Sequence, residues 1–287
     1  MPVKDQIRSV LVIANTVKPG AHELAGEIES YCIRRGLQAQ VVLYDGEASS
    51  LPEKDGFDLA VTLGGDGTVL FASRVLAGHN VPILPVNLGD FGFISEVGHD
   101  EWQQALERYL AGGIDIGDRL VLDVEVLREG GRLCAFRGLN DAVVSSEGIS
   151  RMVRLTVRLS DQYLGVYRAD GVMVATPTGS TAYSAAAGGP ILHPEMEAMI
   201  LNPICPFTLS HRPIVIPPDE VVEIQIAQEQ RTQVALTVDG QTMTPLVQGD
   251  TVIVRASPKK ARIVRSDRRT FYEVLRSKLN WAGGLDD

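Results

Sequence analysis

Phe57-Asp58-Leu59-Ala60-Val61-Thr62-Leu63 runs directly into Gly64-Gly65-Asp66-Gly67-Thr68, and a helical pattern follows over residues 69–76. The first segment is mostly apolar and has the length of a buried strand. Three glycines in the next four positions permit backbone conformations closed to other residues and let a ligand approach the main chain. Thr68 is expected to cap the helix, whose N-terminal amides favour a phosphate. The sequence therefore predicts a strand, a phosphate-binding turn and a helix.

The alternation of strands and helices around this turn extends from residue 10 to residue 110. Strands are expected at 10–14, 40–44, 57–63 and 81–86, and helices at 21–35, 69–76 and 100–110. Strands that alternate with helices are typical of parallel β-α-β units, so we expect an α/β domain with a parallel sheet and helices on both faces. Ligands of such sheets bind at the carboxyl ends of the strands, which is where the glycine-rich turn lies.

The pattern changes after Gly112 to β-type runs separated by turn signals. Strands are expected at 122–127, 142–145, 153–159, 163–167, 172–175, 221–226, 234–238 and 251–254, with one short helix at 181–187. A last helix is expected at 271–279, capped by Thr270 and packed back on the α/β domain. The sequence thus predicts an α/β domain over residues 1–112, a β-rich domain over 113–265 and a C-terminal helix segment over 266–287.

Charge and composition exclude several classes of partner. Acidic residues outnumber basic ones by 36 to 27, which gives a formal net charge of −9. Binding to nucleic acid or to an anionic membrane needs a positive field. No apolar run approaches the ~20 residues that cross a bilayer. Cys32, Cys134 and Cys205 include no Cys-x-x-Cys pair, which is typical of a reducing compartment. We therefore expect a cytoplasmic protein with no nucleic-acid or membrane partner.

The usual phosphate and metal motifs are absent from the sequence. It contains no Gly-Lys pair and no Gly-x-Gly-x-x-Gly, and its five histidines lack the spacing of metal ligands. Phosphate would therefore be bound at the turn that contains Asp66. A carboxylate there repels phosphate, but it suits a general base for a hydroxyl or a group that places Mg²⁺. The alternative is a tight structural turn with an Asx-type hydrogen bond.

Two further motifs lie in the β-rich half. Gly138-Leu139-Asn140-Asp141 precedes a strand, and residues 170–183 combine a strand that breaks at Pro177, a hydroxyl-rich turn and a short helix. Four hydroxyls and one aromatic ring in this stretch suit the edge of adenine and the hydroxyls of ribose. They belong to Thr176, Thr178, Ser180, Thr181 and Tyr183. A Ser/Thr-capped helix start is the alternative, and it accounts for about two of the four hydroxyls.

The turn around Asp66 resembles the phosphate-binding turn of three kinase groups: NAD kinases, diacylglycerol and sphingosine kinases, and 6-phosphofructokinases. Taken with the two motifs above and with three later ones, it makes the chain similar to the NAD kinase (ATP-NAD kinase) family over nearly its full length. The three later motifs are Gly188-Gly189-Pro190-Ile191, Ser210-His211-Arg212-Pro213 and Asp239-Gly240-Gln241. Diacylglycerol-type kinases share the first turn but not the hydroxyl-rich segment.

This resemblance implies a reaction and its substrates. The family transfers the terminal phosphate of ATP, and in some members of inorganic polyphosphate, to the 2′-hydroxyl of the adenosine ribose of NAD, which gives NADP. Mg²⁺ is expected to bridge the phosphates of the donor. The resemblance also implies a homodimer or homotetramer. A lipid kinase of the diacylglycerol type and a catalytically silent NAD sensor remain as alternatives.

The resemblance also implies roles for individual residues. Asp66 corresponds to the catalytic base, and the phosphate turn consists of Gly64, Gly65, Gly67 and Thr68. The implied NAD-binding residues are Asp66, Gly67, Asn140, Asp141, Arg151, Arg168, Asp170, Thr178, Thr181, Ala182, Tyr183, Ser184, Ala185, Ala186 and Gln241. No protein side chain is assigned to the metal.

Two other features have simpler interpretations. A basic cluster near the C-terminus consists of Lys259, Lys260, Arg262, Arg265, Arg268 and Arg269. A solvated strand face and linker is the favoured interpretation, since charge runs are usually exposed, and a triphosphate site is the alternative. Trp102 is expected to pack in the core, as aromatic residues on an amphipathic helix usually do.

Overall fold

The computed structural model describes residues 7–46, 56–76, 78–89, 91–113, 115–147, 152–208 and 210–281. Arg151 lies outside these described residues. The helices are α1 (Ala21–Arg34), α2 (Asp66–Val75), α3 (Trp102–Leu110), α4 (Tyr183–Ala186) and α5 (Phe271–Lys278), and a short 3-10 helix spans Gly179–Thr181. Within the described ranges, none of the helices has the length and apolar character needed to span a membrane.

The chain forms two compact units, Met1–Asp118 with Ala261–Asp287, and Arg119–Lys260. Strands occur in both units. They are β1 (Ser9–Asn15), β2 (Gln38–Tyr44), β3 (Leu59–Gly64), β4 (Ile83–Asn87), β5 (Val97–Gly98), β6 (Ile116–Arg119), β7 (Leu122–Arg128), β8 (Gly131–Gly138), β9 (Asp141–Ser146), β10 (Val153–Leu159), β11 (Gln162–Ala169), β12 (Gly171–Ala175), β13 (Met199–Ile204), β14 (Ile214–Ile216), β15 (Val222–Ile226), β16 (Val234–Val238), β17 (Thr242–Leu246), β18 (Thr251–Ala256) and β19 (Ala261–Val264).

The first unit is built on a sheet with the strand order β2-β1-β3-β4-β19-β6, and β5 pairs with β4. The pairs β1–β2, β1–β3, β3–β4 and β4–β19 are parallel. Val10 and Val12 of β1 pack with α1 and α3 in one apolar cluster. Leu11 and Ile13, which point to the opposite face, are buried as well. Both faces of the parallel sheet are therefore covered, and the predicted α/β fold class is confirmed.

Two strands from the range predicted for the β-rich domain belong to the sheet of the first unit, and the patterns do not indicate either of them. Residues 113–265 were assigned to the β-rich domain, but β6 and β19 belong to the parallel sheet of the first unit. Ile263 of β19 pairs with Ile83 of β4, and Ile263 is 2% exposed. A strand as short as β19 carries no signal of which sheet it joins, because sheet membership depends on a partner 180 residues away, from Ile83 to Ile263.

The second unit consists of two antiparallel sheets, with the orders β11-β10-β15-β18-β7-β8 and β14-β13-β12-β9-β16-β17. Alternate residues of both sheets meet in one core, including Val124 and Leu155 from the first sheet and Val144, Val174 and Leu236 from the second. Two antiparallel sheets that share a core form a sandwich. This arrangement confirms the expectation of a β-rich second domain.

Several elements of the second unit differ from the sequence expectation. The patterns do not indicate β8, β13, β14 or β17. Pro203 within β13 argues against a strand, but β14 pairs with β13 only as far as Leu201, so no bond to β14 is lost at Pro203. The helix expected at 181–187 is divided at Ala182, whose ψ of −129° separates the 3-10 helix from α4.

Helix α5 begins at Phe271 with Thr270 as its N-cap residue, as predicted. The Thr270 hydroxyl accepts a hydrogen bond from the Glu273 amide at 3.3 Å, and the Glu273 carboxylate accepts one from the Thr270 amide at 2.8 Å. This reciprocal pair is a capping box, which satisfies two amides that the helix itself leaves unpaired. Val274 and Leu275 are the buried residues of the helix, which is part of the first unit.

Both tryptophans of the chain lie in the first unit. Trp102 is 9% exposed, and its ring packs edge-on against Tyr31 with centroids 5.4 Å apart, which confirms the predicted core position. Trp281 follows α5 and is 64% exposed. Tryptophan fluorescence therefore reports on the first unit.

We expect Thr270→Ala to lower the free energy of unfolding of the first unit by about 1 kcal/mol, because it removes the acceptor of the capping box. Urea unfolding followed by tryptophan fluorescence measures this change. Thr270→Ser is the matched control and should retain the wild-type midpoint, since its hydroxyl can accept the same bond. An unchanged midpoint for Thr270→Ala would contradict a stabilising role of the cap.

Candidate active site

The turn between β3 and α2 does not have the expected N-cap residue for helix α2. Helix α2 begins at Asp66, its N-cap residue is the extended Gly65, and the described residues provide no side-chain cap. Thr68 therefore lies inside the first helical turn, and the prediction that it caps the helix is wrong. Its buried hydroxyl accepts a hydrogen bond from Asn15 Nδ2 at 3.3 Å, and a Cβ at Gly64 would overlap this hydroxyl. Thr68 and Gly64 form a packing pair.

Gly65 and Gly67 are not required by the backbone or by packing. Gly65 has a φ of −116°, and neither residue adopts a positive φ, so the expected conformations closed to other residues are absent from these two positions. A Cβ added to either one would meet no atom of the described residues within 4 Å. The turn therefore exposes main chain that a ligand can approach closely.

The Asp66 carboxylate is held by three consecutive backbone amides. Oδ2 accepts from Phe93 N at 2.9 Å, and Oδ1 accepts from Ile94 N at 3.2 Å and Ser95 N at 2.9 Å. The Ser95 hydroxyl donates a fourth bond to Oδ1 at 2.7 Å. Since the two carboxylate oxygens offer about four lone-pair sites, two on each, Oδ1 is saturated and Oδ2 keeps the capacity to accept another proton donor. Asp66 itself is partly buried.

The segment that follows β4 is organised around this carboxylate. Asn87 Nδ2 donates to the carbonyl and hydroxyl oxygens of Ser95 at 3.2 and 2.8 Å, and Asn87 Oδ1 accepts from Gly89 N at 2.8 Å. A Cβ at Gly92 would overlap the Asp66 carboxylate. Sequence reasoning did not identify these residues. Two glycines shortly after Asn87, at the end of the strand next to β3, are the signal that could have indicated them.

In the second unit, Asp239 and Gly240 form the turn between β16 and β17. Both have a positive φ, 53° and 65°, and Gln241 N donates to Val238 O at 3.0 Å. These are the features of a type I′ hairpin turn, which confirms the expectation of an Asp-Gly hairpin.

The Asp239 side chain organises the turn before β9. Its carboxylate accepts from Leu139 N at 2.8 Å, Asn140 N at 2.7 Å and Asp141 N at 3.1 Å. Three consecutive amides therefore converge on one carboxylate, as they do at Asp66. Sequence reasoning assigned Asp239 only to a hairpin turn and missed this side-chain role.

Most hydroxyls of the segment around Thr178 hold the segment itself together. Thr176 Oγ1 donates to the Leu139 carbonyl at 2.5 Å, and Ser180 and Thr181 donate to backbone carbonyls three residues earlier at 2.6 and 3.2 Å. Three of the four hydroxyls thus have structural partners, one more than the capped-helix alternative was expected to explain. Thr178 Oγ1 is buried and has no hydrogen-bond partner among the described residues.

The Asn140 turn and the Thr178 turn lie against each other. Thr176 N donates to Asn140 O at 2.8 Å, and a Cβ at Gly179 would overlap the same carbonyl. Asn140 Oδ1, like Thr178 Oγ1, is buried and unpaired within the part of the chain that the structure describes. Buried polar atoms nearly always have partners, so two unpaired ones in adjacent turns are suited to bind a ligand.

Asp141 is the strongly perturbed acid of the second unit. Burial, and to a smaller degree the charge of Asp239, raises the pKa of Asp141 to about 7. The side chain therefore titrates near neutrality, and its protonated form can donate as well as accept a hydrogen bond. Burial also raises the pKa of Tyr183, with smaller contributions from Cys205, Asp170 and Asp141, so this phenol lies among acidic groups. Tyr183 is 47% exposed and presents its ring at the surface.

Known proteins match both units in sequence. Residues 44–114 match the ATP-NAD kinase N-terminal domain, and residues 139–266 match the ATP-NAD kinase C-terminal domain. An NAD kinase of Treponema denticola is 41% identical over 277 residues, which cover 96% of this chain and 98% of that protein. An NAD kinase of Solibacter usitatus is 38% identical over 288 residues, which cover 98% and 99%. The chain belongs to the ATP-NAD kinase family.

Solved structures agree with the fold of this family. A yeast NADH kinase crystallised with NADH has a TM-score of 0.86 and 24% identity, with 98% of this chain and 90% of that one covered. An NAD kinase from Archaeoglobus fulgidus crystallised with ATP has a TM-score of 0.74 and 24% identity, with 93% and 98% covered. At this identity the similarity establishes the fold. The family assignment does not favour the lipid-kinase and sensor alternatives.

The remaining NAD-binding residues that the ATP-NAD kinase resemblance implies differ in their exposure to solvent. Arg168 and Asp170 are exposed, and the Arg168 guanidinium lies 4.9 Å from the centroid of the Phe207 ring. Ser184 is fully buried, and its hydroxyl lies 3.3 Å from Asn202 Nδ2, so it faces the interior of its unit. Partly buried positions are Thr181, Ala182, Ala185 and Gln241, and Ala186 is exposed. Arg151 lies outside the described residues.

Several side chains of the basic cluster form ion pairs or hydrogen bonds with residues of the same unit. Arg268 and Arg269 pair with Glu101 at 3.3 and 2.7 Å, and the Arg269 hydrogen bond lowers the pKa of Glu101 to about 2. Lys260 pairs with Glu197 at 2.5 Å, and Arg262 donates to the Asn80 carbonyl at 3.2 Å. These four side chains have local partners, which favours the structural interpretation over a triphosphate site.

The raised pKa of Asp141 makes stability depend on pH. Since the folded protein retains a proton that the unfolded chain loses near pH 3.8, Asp141 favours folding below pH 4 and loses this contribution as pH rises to about 7. Asp141→Asn does not titrate. We therefore expect the free energy of unfolding of the wild type, relative to Asp141→Asn, to fall between pH 5 and 8 by a few kcal/mol, at about 1.4 kcal/mol per pKa unit.

Urea unfolding of both proteins at the two pH values, followed by far-UV circular dichroism, measures this difference. Asp161→Asn, which removes an exposed carboxylate in the same unit, is the control for the loss of one carboxylate. A difference between wild type and Asp141→Asn that is the same at both pH values would contradict the perturbed titration of Asp141.

Proposed function

We propose that this member of the ATP-NAD kinase family transfers the terminal phosphate of ATP to the 2′-hydroxyl of the adenosine ribose of NAD, producing NADP. The observation that carries the proposal is the Asp66 carboxylate, which is fixed by four donors and retains acceptor capacity on Oδ2. It lies next to Gly65 and Gly67, whose main chain can be approached closely. A hydroxyl acceptor and a phosphate could therefore meet at one turn.

Asp66 would orient the attacking hydroxyl and take up its proton. Phosphoryl transfer has a largely dissociative transition state, in which positioning and charge neutralisation matter more than strong base catalysis. The three amides and the Ser95 hydroxyl hold the carboxylate in one orientation, so Oδ2 is the atom that would accept the proton. A positioned acid or base of this kind typically contributes about 10²–10⁴-fold in rate.

ATP is the donor in our proposal, with polyphosphate as a donor to be tested. No group of three or more His, Cys, Asp or Glu side chains within the described residues is arranged to hold a metal. Mg²⁺ is usually bound through one or two carboxylates together with substrate phosphates. In our proposal the free acceptor site on Asp66 Oδ2 serves the hydroxyl, so Mg²⁺ would be held by the phosphates of the donor. Bound to the donor, Mg²⁺ would neutralise the charge on its phosphates.

The second unit would bind the adenosine part of NAD. The unpaired oxygens of Asn140 and Thr178 provide two acceptors, and the protonated form of Asp141 provides a donor near neutral pH. The exposed ring of Tyr183 offers a face for stacking on a base. The same proposal includes Gly67, Arg151, Arg168, Asp170, Thr181, Ala182, Ser184, Ala185, Ala186 and Gln241, with Ser184 acting through its backbone because its hydroxyl faces Asn202.

Location and assembly belong to the same proposal. Cys32, Cys134 and Cys205 are all free thiols, as is typical of proteins in the reducing cytoplasm, where we place the enzyme. We further propose that it forms a homodimer or homotetramer. Support comes from large apolar side chains exposed on the edge strands of the second unit, such as Tyr163 on β11 and Met243 on β17.

A coupled assay tests the reaction. The purified chain is incubated with ATP, Mg²⁺ and NAD, and the product is offered to a glucose-6-phosphate dehydrogenase that accepts only NADP. Reduction of the dinucleotide by the dehydrogenase supports the proposal. A lipid kinase or a silent sensor would make no NADP, and no reduction would be seen. Replacement of ATP by polyphosphate, and of NAD by NADH, defines the donor and the acceptor.

We expect Asp66→Asn to lower kcat by about 10²–10⁴-fold, because an amide cannot take up the hydroxyl proton. The fold and the affinity for NAD should be retained, but the melting temperature should fall, because the side-chain NH₂ of asparagine would face the Phe93 amide in place of an acceptor. Asp58→Asn is the matched control, since Asp58 also accepts from two consecutive amides of the first unit, Arg8 N and Ser9 N. It should keep the wild-type kcat. A kcat for Asp66→Asn close to that of the wild type would refute the role of Asp66 as the general base.

We expect Gly67→Ala to separate activity from stability. The added methyl group meets no atom of the described residues and replaces a helical glycine, so stability should stay constant or rise by about 0.5–1 kcal/mol. The same methyl group would lie where phosphate approaches, and kcat/KM should fall by about 10- to 200-fold.

Gly26→Ala is the control for this variant. Gly26 is an exposed glycine within α1, and its added Cβ also meets no described atom within 4 Å. It should show the same small change in the free energy of unfolding with unchanged kinetics. Full activity of Gly67→Ala would show that no ligand approaches this part of the turn.

A further inference from the structure

One guanidinium contacts both ends of the segment whose amides hold Asp66. The Arg269 guanidinium carbon lies 3.8 Å from the centroid of the Phe91 ring, and Arg269 Nη1 donates to the Glu96 carbonyl at 3.1 Å. Phe93, Ile94 and Ser95 lie between these two contacts. Arg269 comes from the C-terminal segment just before α5, far from the Asp66 turn in the sequence.

Arg269 is itself held in one orientation. Nη1 and Nη2 donate to the two carboxylate oxygens of Glu101 at 2.7 and 3.0 Å, a bidentate pair that fixes the plane of the guanidinium. Glu101 Oε2 also accepts from Gly98 N at 2.9 Å, and the side chain is 11% exposed. The partner of Arg269 therefore belongs to the chain that continues directly from the segment.

The segment has little room to move without disturbing Asp66. The backbone at Gly92 lies so close to the carboxylate that a Cβ would overlap it. The bond from Ile94 N is already 3.2 Å long, at the upper end of the usual range for N–H···O bonds. A displacement of about 1 Å in a catalytic group can cost on the order of 10²-fold in rate.

We propose that Arg269 is a positioning residue, which fixes residues 91–96 through Phe91 and the Glu96 carbonyl and thereby sets the orientation of the Asp66 carboxylate. The inference rests on the proposed function only in taking Asp66 as the base. Arg269 lies outside both matched ranges, 44–114 and 139–266.

Its neighbour Arg268 supplies a matched control. Arg268 pairs with the same carboxylate, at 3.3 Å from Glu101 Oε1, and donates to Gln104 Oε1 at 2.6 Å. The hydrogen bonds of the Arg268 guanidinium lie on α3 and at its start, whereas Arg269 also contacts Phe91 and Glu96. A comparison of the two arginines therefore separates the clamp on the segment from the ion pair with Glu101.

The experiment compares Arg269→Gln with Arg268→Gln in the full-length chain. Arg269→Gln should lower kcat by about 10- to 100-fold with little change in KM for NAD, and hydrogen exchange of the amides at 93–95 should become faster. Arg268→Gln should leave both quantities near the wild-type values. Phe91→Leu removes the ring but keeps the ion pair between Arg269 and Glu101. It should reproduce part of the loss of kcat and part of the faster exchange, and it replaces Arg269→Gln as the test if that variant folds poorly.

A double-mutant cycle measures whether the kcat losses of the Asp66 and Arg269 variants are coupled. An ion pair that only stabilises the fold would not produce such coupling. In an Asp66→Asn background, Arg269→Gln should cause little further loss of kcat, because the group that it positions is already absent. Additive losses, equal effects of the two arginine variants, or unchanged exchange at 93–95 would each overturn the proposal. If the wild type makes no NADP, the proposed function fails, and the exchange comparison still decides whether Arg269 holds the segment.

Discussion

The hydrogen bonds from residues 93–95 to the Asp66 carboxylate are the interaction on which the candidate site depends. A carboxylate at the start of α2 is favoured by the helix dipole, but the dipole alone does not fix its orientation. The amides do so, and they belong to the segment that follows β4, whose last residue, Asn87, is paired with Gly64 of β3 in the parallel sheet. The sheet thus brings the acid and its donors together at one carboxyl edge, as expected for this class of fold.

The second unit uses the same device for another purpose. Asp239 accepts from the three consecutive amides of 139–141 and lies close to the acid of Asp141. In the same turn Asn140 Oδ1 has no partner among the described residues. In both units an aspartate shapes a turn by collecting amides that would otherwise be unsatisfied. The consequences differ with burial. Asp66 is partly buried and remains accessible, whereas Asp141, beside Asp239, is buried enough to titrate near neutrality.

Local patterns were sufficient to predict the fold class and most of the central strands, because buried strands such as β1 and β10 carry strong apolar signals. The patterns failed where pairing depends on distant partners, as at β19, or where a proline interrupts a strand that has only one neighbour along that stretch, as in β13. Motifs indicated Asp66 and the Asn140 and Thr178 turns. They missed Ser95 and the side-chain roles of Asp239 and Arg269, because each acts through contacts with residues far away in sequence.

Glycine shows how structure resolves what a motif leaves ambiguous. A Cβ at Gly64, Gly92 or Gly179 would overlap another group of the same unit, so packing alone explains those three residues. At Gly65 and Gly67 neither packing nor a positive φ explains the choice, and an alanine at position 67 would favour the helix. Close approach of a ligand to the main chain would account for glycine at both positions. Both glycines flank Asp66, which agrees with the proposal that a phosphate approaches this turn.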